Sequence, residues 1–283
     1  MQTLMYGRLS KLKTKTVSII AGGYLGQRLA TALSLLNYSV KLSFRTKLLK
    51  REDNSISAHY CSLNRGQLEF DEGLFDADCL VICLPPGFKQ GLGDFYAQHT
   101  KCLLNEAQKA GVKQVIFTSS VGIYPQSGIF DETSELHVSS DKQQALYDAE
   151  QTVLSSGLKY KQVLRLAGLI GDNRHPGNFR VNLSSSNLSG TVNMVVIDDV
   201  VQAILTLINS PVTHSNVYNL VSPHHPQKPC FYRYARQAIN NAEVSAYHGV
   251  SDGSGKKVCG DKIEHETDFA YQHRNLFTAI NSL

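Results

Sequence analysis

The residues best suited to chemistry lie near the start of the sequence, in a glycine-rich segment behind an apolar run. Thr16–Ile20 predicts a β-strand and leads directly into the segment AGGYLG. A dinucleotide fingerprint uses three glycines, for a tight turn, for close approach of the pyrophosphate and for helix packing. Gly23 and Gly26 occupy the second and third places, and Ala21 occupies the first. We expect Ala21 to keep a negative φ and Gly22 to absorb any unusual backbone angle.

A helix predicted over about 26–36 follows this turn. Its first backbone amides would favour an anion, because the helix dipole is positive at that end. We therefore predict a pyrophosphate site, and the alternative is a glycine turn needed only for packing. The residues of the predicted site are Gly22, Gly23, Tyr24, Leu25 and Gly26.

The second predicted strand, Ser39–Phe44, ends at Arg45 and Thr46, with Lys47 beside them. An NAD-selective site usually carries an acidic residue here for the ribose hydroxyls. A guanidinium instead suits a 2′-phosphate through paired, charge-assisted hydrogen bonds. We therefore predict that Arg45 and Thr46 bind the cofactor and that NADP is preferred, with NAD as the second choice. The alternative is that these are ordinary solvated residues at a strand exit.

The elements needed to position such a site follow from the pattern of apolar residues. Strands that alternate with helices of about 10–15 residues are typical of parallel sheets with right-handed crossovers. We predict an α/β fold, a Rossmann-type doubly wound parallel sheet with a small C-terminal lobe. Strands are predicted at Thr16–Ile20, Ser39–Phe44, 57–63, 78–86, 112–120 and 160–171, and further helices at about 95–110 and 141–157.

The pattern loosens beyond Gly171. We predict a polar loop at 172–190, a short strand and a helix within 193–210, a strand at 216–222, a helix at 229–242 and irregular chain to 283. No linker divides the chain into halves. We therefore expect one NAD(P)-binding domain over 14–283, with a substrate lobe interwoven from about 172–190 and 223–283, behind an N-terminal extension at 1–13.

Composition excludes several classes of function. The net charge of +4 is spread along 283 residues, which argues against a nucleic-acid surface. No apolar stretch reaches about 18 residues, so no membrane span is expected. The six cysteines show no CxxC or zinc spacing, which favours reduced thiols and a cytoplasmic protein without a metal. A hydrolase is disfavoured because neither GxSxG nor HExxH occurs.

Five segments resemble the short-chain dehydrogenase/reductase superfamily, in its extended and atypical branch of NAD-dependent epimerase/dehydratase-like proteins. These segments occur in the order and spacing of the family, and they are IIAGGYLGQRLA, GVKQVIFTSSVGIYP, LRLAGLIGDNRHPGNF, VVIDDVVQAIL and NVYNLVSPHHP. The resemblance implies a Rossmann-type domain, a small substrate lobe and a nicotinamide cofactor. It also implies oxidoreductase or epimerase-like chemistry on a small carbonyl, alcohol or sugar-derived substrate. A homodimer is compatible with the resemblance.

The resemblance assigns roles residue by residue. Ser120 would hydrogen-bond the reacting oxygen, and its alternative role is a backbone cap at a strand end. Arg174 and His175 lie where a family loop closes on substrate, although a solvated loop is the other interpretation. Asp198 and Asp199 fit a helix N-cap better than a catalytic pair. Further cofactor contacts are implied for Ser62, Leu63, Leu84, Pro85, Pro86, Ser119, Leu166, Ala167 and Gly168.

Two departures from the family stand out. The family passes a proton through a Tyr with Lys four residues later, yet no Tyr of this sequence has that Lys. Lys142 falls at the place of the Tyr, and Leu146 at the place of the Lys. The usual Gly-Asp-Leu at the adenine is replaced by Cys61-Ser62-Leu63. Tyr124 is the candidate substitute for the missing phenol, although nothing in the sequence lowers its pKa.

Two hypotheses of different class therefore remain. The first is an NADP-dependent oxidoreductase or epimerase/dehydratase-like enzyme with an atypical proton relay. The second is a dinucleotide-binding protein without turnover, acting as a redox sensor or regulatory protein. Loss of the Tyr–Lys pair with retention of the glycine turn is what the second hypothesis predicts.

Overall fold

The computed structural model describes residues 15–46, 52–53, 55–182, 189–210, 214–240 and 255–283. The predicted extension at 1–13 and Lys47 lie outside the described residues. The helices are α1 (Tyr24–Leu35), α2 (Tyr96–Lys109), α3 (Asp141–Leu154), α4 (Ile197–Asn209), α5 (Lys228–Ile239), α6 (Lys262–Glu266) and α7 (Leu276–Ile280). None of these helices is both long and apolar enough to cross a membrane.

The strands form one large sheet and two small ones. They are β1 (Thr16–Ile20), β2 (Ser39–Phe44), β3 (Glu52–Asp53), β4 (Ile56–Asn64), β5 (Gln67–Phe70), β6 (Cys79–Ile82), β7 (Gln114–Ser120), β8 (Gly128–Phe130), β9 (Tyr160–Leu166), β10 (Gly168–Ile170), β11 (Met194–Val196), β12 (Asn216–Leu220) and β13 (Lys256–Val258).

The large sheet has the strand order of a doubly wound fold. Its parallel strands run in the order β12-β9-β7-β6-β1-β2-β4, with β3 and β5 antiparallel against β4. The direction of winding reverses between β1 and β6, so a crevice opens beyond the carboxyl ends of these two strands. The predicted α/β, Rossmann-type architecture is confirmed.

The central strands and their helices form because of how they bury apolar side chains. Every residue of β6 is fully buried, as expected for a strand covered on both faces. Leu25, Leu29 and Leu33 recur at helical spacing and bury one face of α1. Right-handed crossovers place α1 and α4 on one face of the sheet and α2 and α3 on the other, where each pair packs together.

The C-terminal part differs from the expectation. The stretch predicted to be irregular contains β13, α6 and α7, while β5 and β8 interrupt stretches for which no strand was predicted. These elements have only three to five residues, too few for a period to show, and they form through distant contacts such as the pairing of β13 with β8. A second, smaller apolar cluster joins residues on both sides of α4, and its members are Ile170, Val192, Met194, Val196, Phe231, Ala235, Leu276, Ala279 and Ile280.

Candidate functional site

The glycine turn after β1 adopts a backbone that the sequence did not predict. Ala21 has a φ of +77°, whereas Gly22 is outside the left-handed region. The Ala21 amide donates to Ser43 Oγ (3.0 Å), and the Gly22 amide donates to the Ser43 carbonyl (2.7 Å). A Cβ at Gly22 would lie 2.6 Å from the Phe44 ring. The expectation of a negative φ at Ala21 is therefore wrong, because Ser43 fixes the turn at both amides.

The other two glycines have different local reasons. A Cβ at Gly26 would lie 2.2 Å from the Ala21 carbonyl oxygen, so only glycine lets the helix pack this closely on the turn. Gly23 is exposed, and a Cβ built there has no protein atom within 4 Å. The first turn of α1 carries no acidic side chain and no side-chain cap. Open space beside the amides of Tyr24 and Leu25 therefore fits a phosphate group.

A loop of the C-terminal half lies against this end of α1. The Tyr24 hydroxyl donates to the Asp172 carbonyl (3.0 Å), and the Asp172 carboxylate pairs with Arg28. The Arg28 guanidinium stacks 4.0 Å from the centre of the Tyr24 ring. Arg174 lies 5.8 Å from the same ring and donates to the Leu169 carbonyl (2.9 Å). Arg174, predicted to contact substrate, therefore lies beside the glycine turn.

His175 follows in the same loop, and its ring has a structural contact. Its Nδ1 accepts the Gly177 amide (3.1 Å) and caps the short 3₁₀ turn at Pro176–Asn178. This bond places the ring proton of neutral His175 on Nε2.

The remaining predicted cofactor residues lie along the carboxyl ends of the parallel strands. Arg45 and Thr46 are exposed directly after β2, and Pro85 is exposed after β6, with Leu84 and Pro86 half-buried beside it. Ser62 and Leu63, half-buried in β4, pair with Glu69 and Leu68 of β5. The amides of Ala167 and Gly168 are used internally, by the Leu220 and Asn193 carbonyls. Leu166 is buried at the end of β9.

The two serines at the end of β7 point to different surroundings. Ser119 is buried, and its hydroxyl donates to Glu150 Oε1 (2.5 Å). Its side chain therefore serves the core rather than the crevice. Ser120 is partly exposed, and its Oγ accepts the Gly122 amide (3.0 Å) at the start of a short 3₁₀ turn. The capping role is thus present, and the proton of the Ser120 hydroxyl can still be donated elsewhere.

Glu150 belongs to a buried polar network that sequence reasoning missed. It is fully buried, and Arg165 donates to both of its carboxylate oxygens (2.8–3.1 Å). Arg165 Nη1 also donates to the Tyr124 hydroxyl (2.7 Å), which contacts the Asp131 carbonyl (2.8 Å) and Asn219 Oδ1 (3.0 Å). A charged residue on an apolar helix face, and another within the strand sequence LRL, are the signals that could have revealed it.

This network changes the interpretation of Tyr124. Its side chain is 0% exposed, and its hydroxyl is fully engaged inside the protein. Burial raises the pKa of Tyr124, and the nearby positive charge of Arg165 offsets only part of that rise. The prediction that Tyr124 replaces the missing catalytic phenol does not fit this position, because neither a substrate nor water reaches the group.

Helix α3 packs against the turn after β7 with side chains that do not form the proton relay of the family. Lys142 is exposed and lies 6.0 Å from the Phe88 ring, whereas Leu146 is buried against the turn. Gln143 is buried between them and donates to the carbonyls of Ile123 (3.2 Å) and Tyr124 (3.0 Å). The helix therefore supports the turn by hydrogen bonds and provides no phenol–ammonium pair.

The two adjacent aspartates have a different role from the expected cap. Val196 is the N-cap residue of α4, so Asp198 and Asp199 lie inside its first turn. Asp199 is buried and accepts the amides of Gln272 (2.9 Å) and His273 (3.2 Å). The N-cap interpretation is therefore wrong, and Asp199 instead holds the C-terminal segment against the domain.

Comparison with known proteins agrees with this geometry. A family model described as NAD(P)H-binding matches residues 21–211, which is more than half of the chain. The chain belongs to the NAD(P)H-binding family. Within the curated proteins, Protein YeeZ of Escherichia coli (strain K12) is 30% identical over 271 residues, covering 92% of this chain and 96% of that relative.

Solved structures share the fold of this family member. The complex of MoeE5 with UDP-glucose and NAD has a TM-score of 0.73 at 18% identity, and covers 94% of this chain and 96% of its own. Human epimerase family protein SDR39U1, solved with NADPH, has a TM-score of 0.68 at 15% identity and covers 94% and 98%. The predicted NAD(P)-binding family is confirmed, the fold is that of epimerase/dehydratase-like proteins, and these two neighbours hold different dinucleotides.

Proposed function

We propose that the protein is an NADP-dependent oxidoreductase or epimerase/dehydratase-like enzyme acting on a small carbonyl, alcohol or sugar-derived substrate. One observation carries this proposal: the open space at Gly23 lies at the switch point of the sheet, with exposed Arg45 at the end of the neighbouring strand. Space, main-chain amides and a cation are what a phosphorylated dinucleotide requires there.

Different residues of the crevice would bind different parts of the dinucleotide and the substrate. The amides of Tyr24 and Leu25 would hold the pyrophosphate, and Arg45 with Thr46 the 2′-phosphate. Arg174 would add a positive charge beside the pyrophosphate, because its loop is tied to α1. A bound nicotinamide supplies or accepts hydride. Ser120, whose oxygen already accepts an amide, would donate its proton to the substrate oxygen.

The cofactor preference is tested by titrating NADPH and NADH into Arg45→Ala. We expect NADPH binding to weaken at least about tenfold, the effect of losing a charge-assisted phosphate contact, with little change for NADH. Lys113→Ala is the matched control, because exposed Lys113 lies before the amino end of β7, whereas Arg45 follows the carboxyl end of β2. Equal losses for the two dinucleotides would contradict the preference for NADP.

A second function is favoured by one observation, the burial of Leu146 at the place of the family Lys. In this alternative the protein binds a dinucleotide without turnover, as a redox sensor or regulator. The discriminating experiment saturates the protein with NADPH and offers a panel of carbonyl compounds. Oxidation of NADPH would support the enzyme, and tight binding without any oxidation would support the sensor.

A further inference from the structure

A lysine of the C-terminal segment reaches the turn that follows Ser120. Lys256 lies on β13, and its Nζ donates to the carbonyls of Val121 (2.9 Å) and Tyr124 (3.4 Å). These carbonyls lie at the two ends of the turn that follows Ser120. Its contact with the Val121 carbonyl brings the ammonium close to the end of β7. The side chain of Lys256 is partly buried, so the ammonium is still within reach of solvent.

The backbone of Lys256 is fixed from the other side. Its carbonyl accepts the Asn193 side-chain amide (2.8 Å) and the Thr191 hydroxyl (3.3 Å). Asn193 Oδ1 in turn accepts the Val258 amide (2.8 Å). Asn193 therefore clamps β13 at two points, and the direction of the lysine side chain is set before any ligand binds.

The charge of Lys256 has no anionic partner among the residues that the structure describes. None of the ion pairs formed within 4.0 Å by these residues includes it. Burial, and then the nearby charge of Lys228, lower the pKa of Lys256. A partly buried cation without a counter-charge is energetically unfavourable, so it attracts an anion.

Lys228 and the start of α5 are brought to the same region. The Lys228 amide donates to the Gly190 carbonyl (2.9 Å). A Cβ at Gly255, the residue before Lys256, would lie 3.1 Å from the Gly190 Cα. The first turn of α5 carries no acidic residue. Two lysines and the positive end of a 12-residue helix therefore share one part of the lobe surface.

We propose that Lys256, supported by Lys228, binds an oxyanion of the substrate beside Ser120, and that the substrates are accordingly anionic carbonyl or alcohol compounds carrying a carboxylate or a phosphate. The proposal rests on the proposed function for the position of the active centre. Two N–H bonds of the ammonium are used by the turn, and the third is directed to the anion. Lys256 thus brings a cation to a turn at which α3 provides none.

The test uses full-length protein saturated with NADP⁺, so that the glycine turn and Arg45 are occupied. Malonate and inorganic phosphate are titrated separately by calorimetry, and the better ligand identifies the acid group. We expect Lys256→Met to weaken that binding at least about tenfold, as for a lost charge-assisted hydrogen bond, and Lys228→Met to weaken it less. Lys257→Met is the matched control, because this exposed neighbour lies on the same strand.

The result that overturns the proposal is unchanged anion affinity in Lys256→Met, or no binding of either anion by the wild type. Lys256→Arg should restore much of the affinity. If Lys256→Met fails to fold, Lys228→Met is used in its place, and unchanged anion affinity in that variant overturns the proposal. Failure of the proposed function would show separately, as absent NADPH binding by the wild type, and malonate titrated without dinucleotide would still test the lysine site.

Discussion

The two sides of the crevice are built in opposite ways. On the β1 side, the turn around Gly23 offers open space and main-chain amides. On the β7 side, Glu150 and Tyr124 are closed into the core, where Arg165 bonds to both, and the Ser120 hydroxyl stays partly exposed. Anion binding needs only exposed amides, whereas proton transfer needs an accessible side chain. On the β1 side, the fold itself provides the exposed amides. On the β7 side, the buried polar side chains stabilise the fold and are not available for proton transfer.

The largest expected effect is on the β7 side, in Glu150→Gln. The variant keeps the shape of the side chain but leaves the Arg165 guanidinium buried without its counter-charge. Removing one partner of a buried pair costs about 3–5 kcal/mol. We expect a decrease of that size in the free energy of unfolding, measured by urea denaturation.

An exposed pair provides the control for this experiment. Glu106 and Lys109 are three residues apart on α2, and the lysine is 71% exposed. Glu106→Gln should cost less than about 1 kcal/mol, because solvent screens such pairs. A similar small cost for Glu150→Gln would mean that the buried network does not stabilise the β7 side as we infer.

The β1 side is tested by replacing two glycines of the turn, Gly23 and Gly26, by alanine one at a time. Gly26→Ala places a Cβ against the Ala21 carbonyl, so we expect a loss of about 1–3 kcal/mol in unfolding free energy. Gly23→Ala meets no protein atom, and its stability should change by less than about 0.5 kcal/mol. Its methyl group would instead occupy the phosphate space, so NADPH affinity should fall.

The comparison would fail if the two glycines behaved alike. Calorimetric titration of NADPH and urea denaturation of both variants separate the two effects. Unchanged NADPH affinity in Gly23→Ala, at wild-type stability, would remove the phosphate from this position.

The same contrast explains what the sequence could predict. The alternation of strands and helices along the chain and the position of the glycine turn follow from local patterns, because each strand and crossover carries its own apolar period. Glu150 and Arg165 each stand out as a charge in an apolar segment, but the sequence does not show that they meet, because their contact joins α3 to β9. Lys256 was missed because its partners are main-chain carbonyls more than a hundred residues away.

A smaller effect is expected at the first position of the glycine turn. Ala21 is held at a φ of +77°, a region that costs a residue with a Cβ about 1–2 kcal/mol. Ala21→Gly removes this strain but adds freedom to the unfolded chain, so we expect a net stabilisation of about 0.5–1 kcal/mol. The shift of the urea midpoint measures it.

Ala30→Gly is the matched control for that substitution. Ala30 is buried within α1, where glycine should lower the unfolding free energy by about 1 kcal/mol. Opposite signs for the two variants would locate the strain at Ala21. A loss of stability in both would show that the turn carries no strain that glycine relieves.

The smallest effect concerns a carboxylate at the edge of the buried network. Glu132 Oε1 accepts the main-chain amide of Asn219 (2.6 Å), but unlike Glu150 it is bound by no arginine of the part of the chain that the structure describes. Burial raises the pKa of Glu132, and the hydrogen bond from the main-chain amide of Asn219 offsets part of the rise. Because the folded-state pKa is raised, the stability contributed by the neutral acid is present below the unfolded value and lost as the pH rises through the folded value.

Glu132→Gln cannot ionise, so its stability relative to the wild type should improve as the pH rises above the ordinary glutamate pKa of about 4.3 and Glu132 loses its proton. Urea denaturation of both proteins across this range measures the difference. The glutamine oxygen can still accept the Asn219 amide, so the comparison isolates the charge. A pH-independent difference would mean that burial at this edge does not disfavour the carboxylate, and that the arginine bound to Glu150 is not what distinguishes the two sites.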